Sequence, residues 1–314
     1  MFDAEDGIKS PVARTAMVTA ALTLGAACGG PVSLDEKDET TRSALSMTAV
    51  YFEESDLSNT AFERVYLNVP DSDPNAIYFV SPTQTFNSMF SAQTLNGNPI
   101  GVMFDNEQNN WVVFNENKAA MPLGTGFSVY TRAATSNVFK MVAGQNGNLA
   151  VTDTAYINNP YTNGNPNALV WVTQNFNTHP GSFPGEYGGD LNPHNVGVKY
   201  DSFRGQWAIF NLDRQVIVGA AFNVIVESGA QQSFFVKTAA AATSQLIISD
   251  PRINGRSTAK IMVTPVLNPG GRSNLVYSNH PVGACYNSNG QWAVCNFDAA
   301  VIPAGASYNV WILG

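Results

Sequence analysis

"GQWAIFN" occupies residues 205–211, and close versions recur as "NWVVFN" at 110–115 and "GQWAVCN" at 290–296. Trp111 and Trp207 lie 96 positions apart, and Trp207 and Trp292 lie 85 apart. The flanks agree too. "NPIGVMFDNEQNNWVVFNENKAAMPLGTGFSVYT" (98–131), "HNVGVKYDSFRGQWAIFNLDRQVIVGAAFNVIVE" (194–227) and "HPVGACYNSNGQWAVCNFDAAVIPAGASYNVWIL" (280–313) run side by side. Upstream, "LNVPDSDPNAIYFV", "INNPYTNGNPNALVWV" and "ISDPRINGRSTAKIMV" hold matching places. A repeat of this size exceeds a solenoid turn and is large enough to hold its own core. The chain reads as three copies of one unit, at 46–133, 134–228 and 229–314, and residues 229–314 are expected to fold alone.

Inside each unit the period is two. Trp207, Ile209 and Asn211 point one way, and Ala208 and Phe210 the other. The preceding strand sets Val198 and Tyr200 on one face, and polar turns such as "SNG" and "NEQNN" make hairpins. About six such runs per unit predict an all-β fold, three similar antiparallel sandwiches or small barrels in tandem. The alternation sets Trp207 and Ile209 beside Val198 and Tyr200, so the repeated Trp is read as core rather than as a sugar platform. The closing Asn115, Asn211 and Asn296 are expected to bond backbone in the following turn.

The 314 residues carry a formal net charge of −8 with 13% charged side chains. Phosphate backbones are bound by Lys and Arg, so this balance argues against a nucleic-acid partner. Low charge with abundant Asn, Thr, Ser and Gly fits exported β-proteins rich in turns. Lys9 and Arg14 precede the apolar run "TAMVTAALTLGAAC", of signal-peptide length and short for a membrane span. Residues 1–27 are read as the signal and 28–45 as a flexible tether. "LGAACGG" resembles a bacterial lipobox, which implies lipidation of Cys28, an outer-membrane or extracellular location, and membrane contact only through that lipid. A plain cleaved signal is the alternative.

The residues "HPVG", "GQWAIFN" and "VGAAFNV" resemble a domain of unknown function repeated in tandem in predicted exported proteins of Gram-negative bacteria, myxobacteria especially. The resemblance covers nearly everything after residue 45, and the first copy departs most. It implies a secreted or surface setting and carries no known activity.

Among residues that could carry chemistry there are three histidines, His179, His194 and His280, and no HExxH, paired CxxC, GxSxG or phosphate-cradling loop. Asp71, Asp73 and Asn75 of "DSDPN" alternate as calcium ligands do, but Asx-rich turns also bind their own backbone, and no cofactor is required. The long segment 174–195 holds His179, Glu186, Tyr187 and Asp190 as candidates for binding a ligand. With Trp171 or Tyr187 it could meet a glycan, and with His194 a metal. His194 matches Asn98 and His280, so it is read as serving the shared hairpin. Cys285 and Cys295 are placed directly opposite on their hairpin, by analogy with Met103 opposite Phe114, and are expected to form a disulfide worth at most ~3 kcal/mol. The function expected is a non-enzymatic structural or adhesive surface protein that contacts a surface protein, a glycan or copies of itself. A lectin-like binder is the alternative, and a hydrolase with an unrecognised site the third reading.

Overall fold

The computed structural model describes residues 49–68, 73–85, 94–176, 190–217, 219–272 and 275–313, within one compact unit, Ala44–Gly314. The first copy supplies β1 (Ala49–Glu54), β2 (Thr60–Ala61), β3 (Arg64–Tyr66), β4 (Ile77–Gln84), β5 (Ile100–Asp105), β6 (Asn110–Asn115) and β7 (Gly126–Arg132). The second repeats them as β8 (Val138–Val142), β9 (Ala150–Val151), β10 (Thr154–Tyr156), β11 (Leu169–Asn175), β12 (Val196–Asp201), β13 (Gln206–Asn211) and β14 (Ala221–Glu227). The third gives β15 (Phe234–Thr238), β16 (Leu246–Ile248), β17 (Ile261–Val266), β18 (Val282–Tyr286), β19 (Trp292–Asn296) and β20 (Ser307–Ile312). It has no counterpart of β2 and β9 among the described residues.

Each copy is a sandwich. In the first, Tyr78, Val80, Phe127 and Val129 from β4 and β7 pack on Val65, Val102, Trp111 and Val113 from β3, β5 and β6. The other two copies build the same core around Trp207 and Trp292. The sheets do not stop at a copy's boundary. Their orders are β1-β7-β4-β18-β19-β16, β15-β20-β17-β12-β13-β10-β9 and β2-β3-β6-β5-β11-β14-β8. Among the described residues no sheet closes into a barrel. Neighbouring strands of one copy pair antiparallel. Two copies join through a parallel pair: β5 with β11, β12 with β17, and β18 with β4. The third of these pairs brings the last copy back to the first, so the three sandwiches form a closed ring.

The ring's centre is shared by all three copies. Phe79, Trp171 and Met262 occupy matching positions on β4, β11 and β17, as do Tyr130, Ile225 and Trp311 on β7, β14 and β20, and the six form one buried cluster. Trp311 packs at a tilt against Trp171, 5.3 Å between ring centroids, and edge-on against Tyr130 at 4.9 Å. Two residues further along the central strands lies a ring of buried hydroxyls. The Val80 N–H donates to Thr173 Oγ1 (3.0 Å), Val172 N–H to Thr264 Oγ1 (3.4 Å), and Val263 N–H to Ser81 Oγ (3.3 Å). A second ring runs through the next strands. Asn223 Nδ2 donates to Tyr78 O (2.8 Å), Asn309 Nδ2 to Val170 O (2.9 Å), and Ile261 N–H to Ser128 Oγ (3.4 Å). Buried polar groups need partners, so each bond fixes one copy's register against the next. Self-sufficient copies were expected. The observed copies share sheets, a central core and these bonds, because β4, β11 and β17 are apolar on both faces.

The repeated Gly before the Trp hairpin belongs to the joint. A Cβ on Gly283 would fall on Pro82 O of the first copy, and one on Gly197 would meet Pro265 O of the third. At Gly283 only glycine lets the backbones approach, and at Gly197 a Cβ would be tight against the neighbouring backbone. The Asn caps also differ informatively. Asn96 Nδ2 donates to Asn115 Oδ1 (2.7 Å) and Asn192 Nδ2 to Asn211 Oδ1 (2.9 Å). The third copy has Ser278 in that place, and Asn296 Oδ1 is buried without a partner. Ser278→Asn is expected to raise stability by about 1 kcal/mol, read as a higher denaturant midpoint with an unchanged slope. A lower midpoint would mean that Asn does not fit there.

Candidate functional site

The Trp-centred hairpins pack. Trp111, Trp207 and Trp292 are at most 1% exposed, and Tyr200 pairs with Trp207 and Val198 with Ile209 across the strands. Each indole N–H holds the turn before the central strand: Trp111 Nε1 donates to Asp73 O (2.9 Å), Trp207 Nε1 to Asn165 O (2.8 Å) and Trp292 Nε1 to Arg256 O (2.8 Å). Asn115, Asn211 and Asn296 donate to backbone carbonyls four residues on. The recurrent Asp105 and Asp201 are structural as well. Each caps its own hairpin turn and accepts a Tyr hydroxyl at 2.9 Å, from Tyr66 and Tyr156.

The singled-out residues do not gather. Asp73 accepts the Asn75 N–H in an Asx turn (2.9 Å), and Asp71 lies outside the described residues. Among the described residues no group of three or more His, Cys, Asp or Glu is placed to hold a metal ion. His179, Glu186, Tyr187 and Cys28 also lie outside the described residues. Asp190 is exposed and joins Ala220 through a single bridge. Trp171 is corrected outright: it is fully buried in the central cluster and is unavailable to a glycan. Cys285 and Cys295 are disulfide-bonded, but they are not directly opposed. Cys285 faces Ala293 and Cys295 faces Gly283, so the bridge is diagonal, with Cα atoms 6.0 Å apart. Its benefit stays within the ~3 kcal/mol expected of a short loop.

What the copies do bring together is a pocket of about 70 Å³ on the ring's axis. Its walls are threefold sets: Val80, Val172 and Val263 from the central strands, then Ile100, Val196 and Val282 from the strands beside them. Thr173 and Thr264 of the hydroxyl ring also line it, and Asn98, Asn195 and His280 stand at its rim. His280 Nδ1 lies 2.6 Å from Asp298, His194 Nδ1 lies 2.6 Å from Asp213, and Asn117 Nδ2 donates to Asn98 at 2.9 Å. These pairs tie the turn after each Trp strand to the start of its partner. Because an amide pair does the same work in the first copy, the imidazoles serve position first. The site offers apolar walls and a polar rim, which suits recognition of a small apolar group.

Beside this mouth lies a residue that sequence reasoning passed over. Glu116 is 3% exposed and stands where the other copies have Leu212 and Phe297. Its Oε2 accepts the Asn192 N–H at 3.1 Å, and Asn192 in turn donates to Gln174 Oε1 at 2.6 Å. Burial pushes its carboxyl up to about 8, against the opposing pull of that one hydrogen bond. Aligning the copies gives the signal: one carboxylate among apolar equivalents.

No helix among the described residues is long and apolar enough to cross a membrane. No curated protein and no solved structure matches the chain. The profile of DUF7452, a domain of unknown function, matches it twice, over residues 101–217 and 197–312. Each match begins at or just inside β5 or β12 and runs into the next copy, so the matched unit contains one parallel joint. A chain built of overlapping copies of this unit, joined by the strand pair each match includes, belongs to the DUF7452 family.

Proposed function

We propose that this chain is an exported, non-enzymatic recognition module that meets a cell-surface partner with the mouth of its axial pocket. One observation carries the reading. β5, β12 and β18 each open on a residue that lines that mouth, Ile100, Val196 and Val282, and the stretch of sequence before β12 is longer than those before β5 and β18. Loops held on a rigid scaffold are the usual place for recognition. The Cys285–Cys295 bridge fits an oxidising, extracytoplasmic compartment. Ring closure changes the adhesive picture drawn from the sequence. Edges of β4, β11 and β17 that could have recruited further copies are consumed inside the chain, so binding is by one composite face rather than by three independent domains.

Labelled full-length protein, tested on envelope preparations and glycan arrays, is expected to bind. That binding should drop at least tenfold when Asn98→Arg and Asn195→Arg crowd the rim, with folding checked by circular dichroism. Phe203→Ser, at a hairpin tip where the ring is 98% exposed, should change nothing. Loss of binding with Phe203→Ser and retention with the rim variants would overturn the reading, as would a hydrolytic activity abolished by a single substitution at Asp190 or His280.

A further inference from the structure

Apolar cavities of about 150 Å³ hold benzene, so the axial pocket, at about 70 Å³, takes a group of about three heavy atoms. Its walls can be reached: Ile100, Val172, Val196 and Val282 are only half-buried. The buried Thr173 and Thr264 have their oxygens already engaged by the Val80 and Val172 N–H groups. No Lys, Arg, Asp or Glu is among the described residues that line it. An entering group is therefore neutral and leads with a methyl, because a charge or an unpaired polar atom between valines is strongly disfavoured.

The rim supplies what lies behind that methyl. Asn98, Asn195 and His280 are all part-exposed there. His280 is held through Nδ1 by Asp298, which keeps the proton of the neutral ring on Nδ1 and leaves Nε2 as an acceptor. Asn195 gives one N–H to Asn279 Oδ1 at 3.3 Å, and Asn98 gives one to Asn96 Oδ1 at 2.7 Å. Among the described residues, His280 Nε2, Asn195 Oδ1 and the second N–H of each amide have no partner. Asn195 is also not required by the fold. The first and third copies have Pro99 and Pro281 in its place, and a proline side chain offers neither donor nor acceptor, so the shared architecture stands without an amide at this position.

With the axial mouth as the recognition face, on which this rests, we propose that its pocket takes the acetamido group of an N-acetylated amino sugar. The acetyl methyl enters between the valines, the amide N–H and C=O pair with the Asn195 side chain, and a neighbouring hydroxyl donates to His280 Nε2. An amide suits a rim that keeps both donors and acceptors free. Ring hydroxyls suit that polar surround better than the alkyl stem of an acetylated lysine would.

Saturation-transfer NMR on the full chain with methyl N-acetyl-β-glucosaminide is the test. Binding is expected, with the largest transfer on the acetyl methyl. Methyl β-glucoside, which has a hydroxyl in place of the acetamido group, should bind about tenfold or more weakly, and so should side-chain-acetylated lysine amide. Asn195→Pro, which installs the residue of the other two copies, and Val196→Phe, which fills the pocket, should each weaken binding about tenfold or more. No binding of the N-acetyl glycoside would overturn the proposal, as would equal binding of the glucoside or the acetylated lysine, or binding unchanged by a folded Asn195→Pro. Tighter binding of methyl α-fucoside, with the largest transfer on its own methyl, would overturn it in favour of a deoxy sugar. If Val196→Phe fails to fold, Asn195→Pro and the comparison of sugars still decide. A chain that loses envelope binding with the Asn98→Arg and Asn195→Arg changes yet ignores the N-acetyl glycoside would sink the acetamido assignment alone and leave the recognition face standing.

Discussion

Glu116→Gln leaves the protein as stable as the parent at pH 4 and more stable at pH 9. The folded-state carboxyl sits at about 8 against an ordinary value of 4.5. Below 4.5 the group is protonated in both states and contributes no difference. Between 4.5 and 8 the unfolded chain gives up the proton while the folded one keeps it, so stability falls by up to about 1.4 kcal/mol per pH unit. Above 8 the carboxylate is ionised in both states, and the loss levels off. The span sets a ceiling of about 5 kcal/mol, and local relaxation lowers that to roughly 2–4 kcal/mol. Glutamine keeps an acceptor for the Asn192 N–H without the charge. Glu116→Leu, which copies Leu212, also removes the slope but leaves that N–H unmet, at a cost of about 1–3 kcal/mol. Urea midpoints at pH 4, 7 and 9 decide. A slope that persists in Glu116→Gln would place its source elsewhere.

Residues 229–314 in isolation will not show a cooperative unfolding transition, whereas the full chain will melt as one unit. The fragment keeps the sandwich around Trp292 but loses the partners of its other faces. Met262 and Trp311 would be stripped of Phe79, Tyr130, Trp171 and Ile225. β17 and β18 would lose β12 and β4 and present bare edges, a route to aggregation. The Val263 and Ile261 N–H groups would lose their hydroxyl acceptors in the first copy. Uncovering two large side chains alone forfeits about 3–6 kcal/mol, a large part of a small domain's stability. A fragment with a sharp transition, or a full chain melting in separate steps, would mean that the copies are energetically independent.

How much of this was legible varies along the chain. The Trp hairpins were, down to the face that Val198, Tyr200, Trp207 and Ile209 share though not to their register, because strict alternation and short turns are local signals. The parallel joints were not, although the sequence carried a hint. "AIYFV", "ALVWV" and "KIMV" are apolar runs without alternation, the pattern of strands buried on both faces. Trp171 was read as a loop aromatic for want of that inference, yet its neighbours Leu169 and Val170 are as buried as it is. The cysteine register missed by two because the ladder closes at Asp105–Asn110 in the first copy, which puts Phe104 opposite Trp111 rather than Val113. The diagonal still lies within reach of a bridge, so the pairing survived the wrong register. Nothing local marks Val80, Val172 and Val263 as walls of one pocket. They meet only through sheets that the sequence does not show to be joined.

Ring closure is the central claim, and it rests on contact between segments some two hundred residues apart. Amide nuclear Overhauser effects in perdeuterated full-length protein test it directly. Ala284 lies beside Thr83, and Cys285 beside Gln84, in the parallel β4–β18 pair. Cross-strand effects between these residues should therefore appear alongside those of the β18–β19 hairpin, where Ala284 faces Val294. Hairpin effects without any between Thr83–Gln84 and Ala284–Cys285 would contradict the account and leave three sandwiches in an open row.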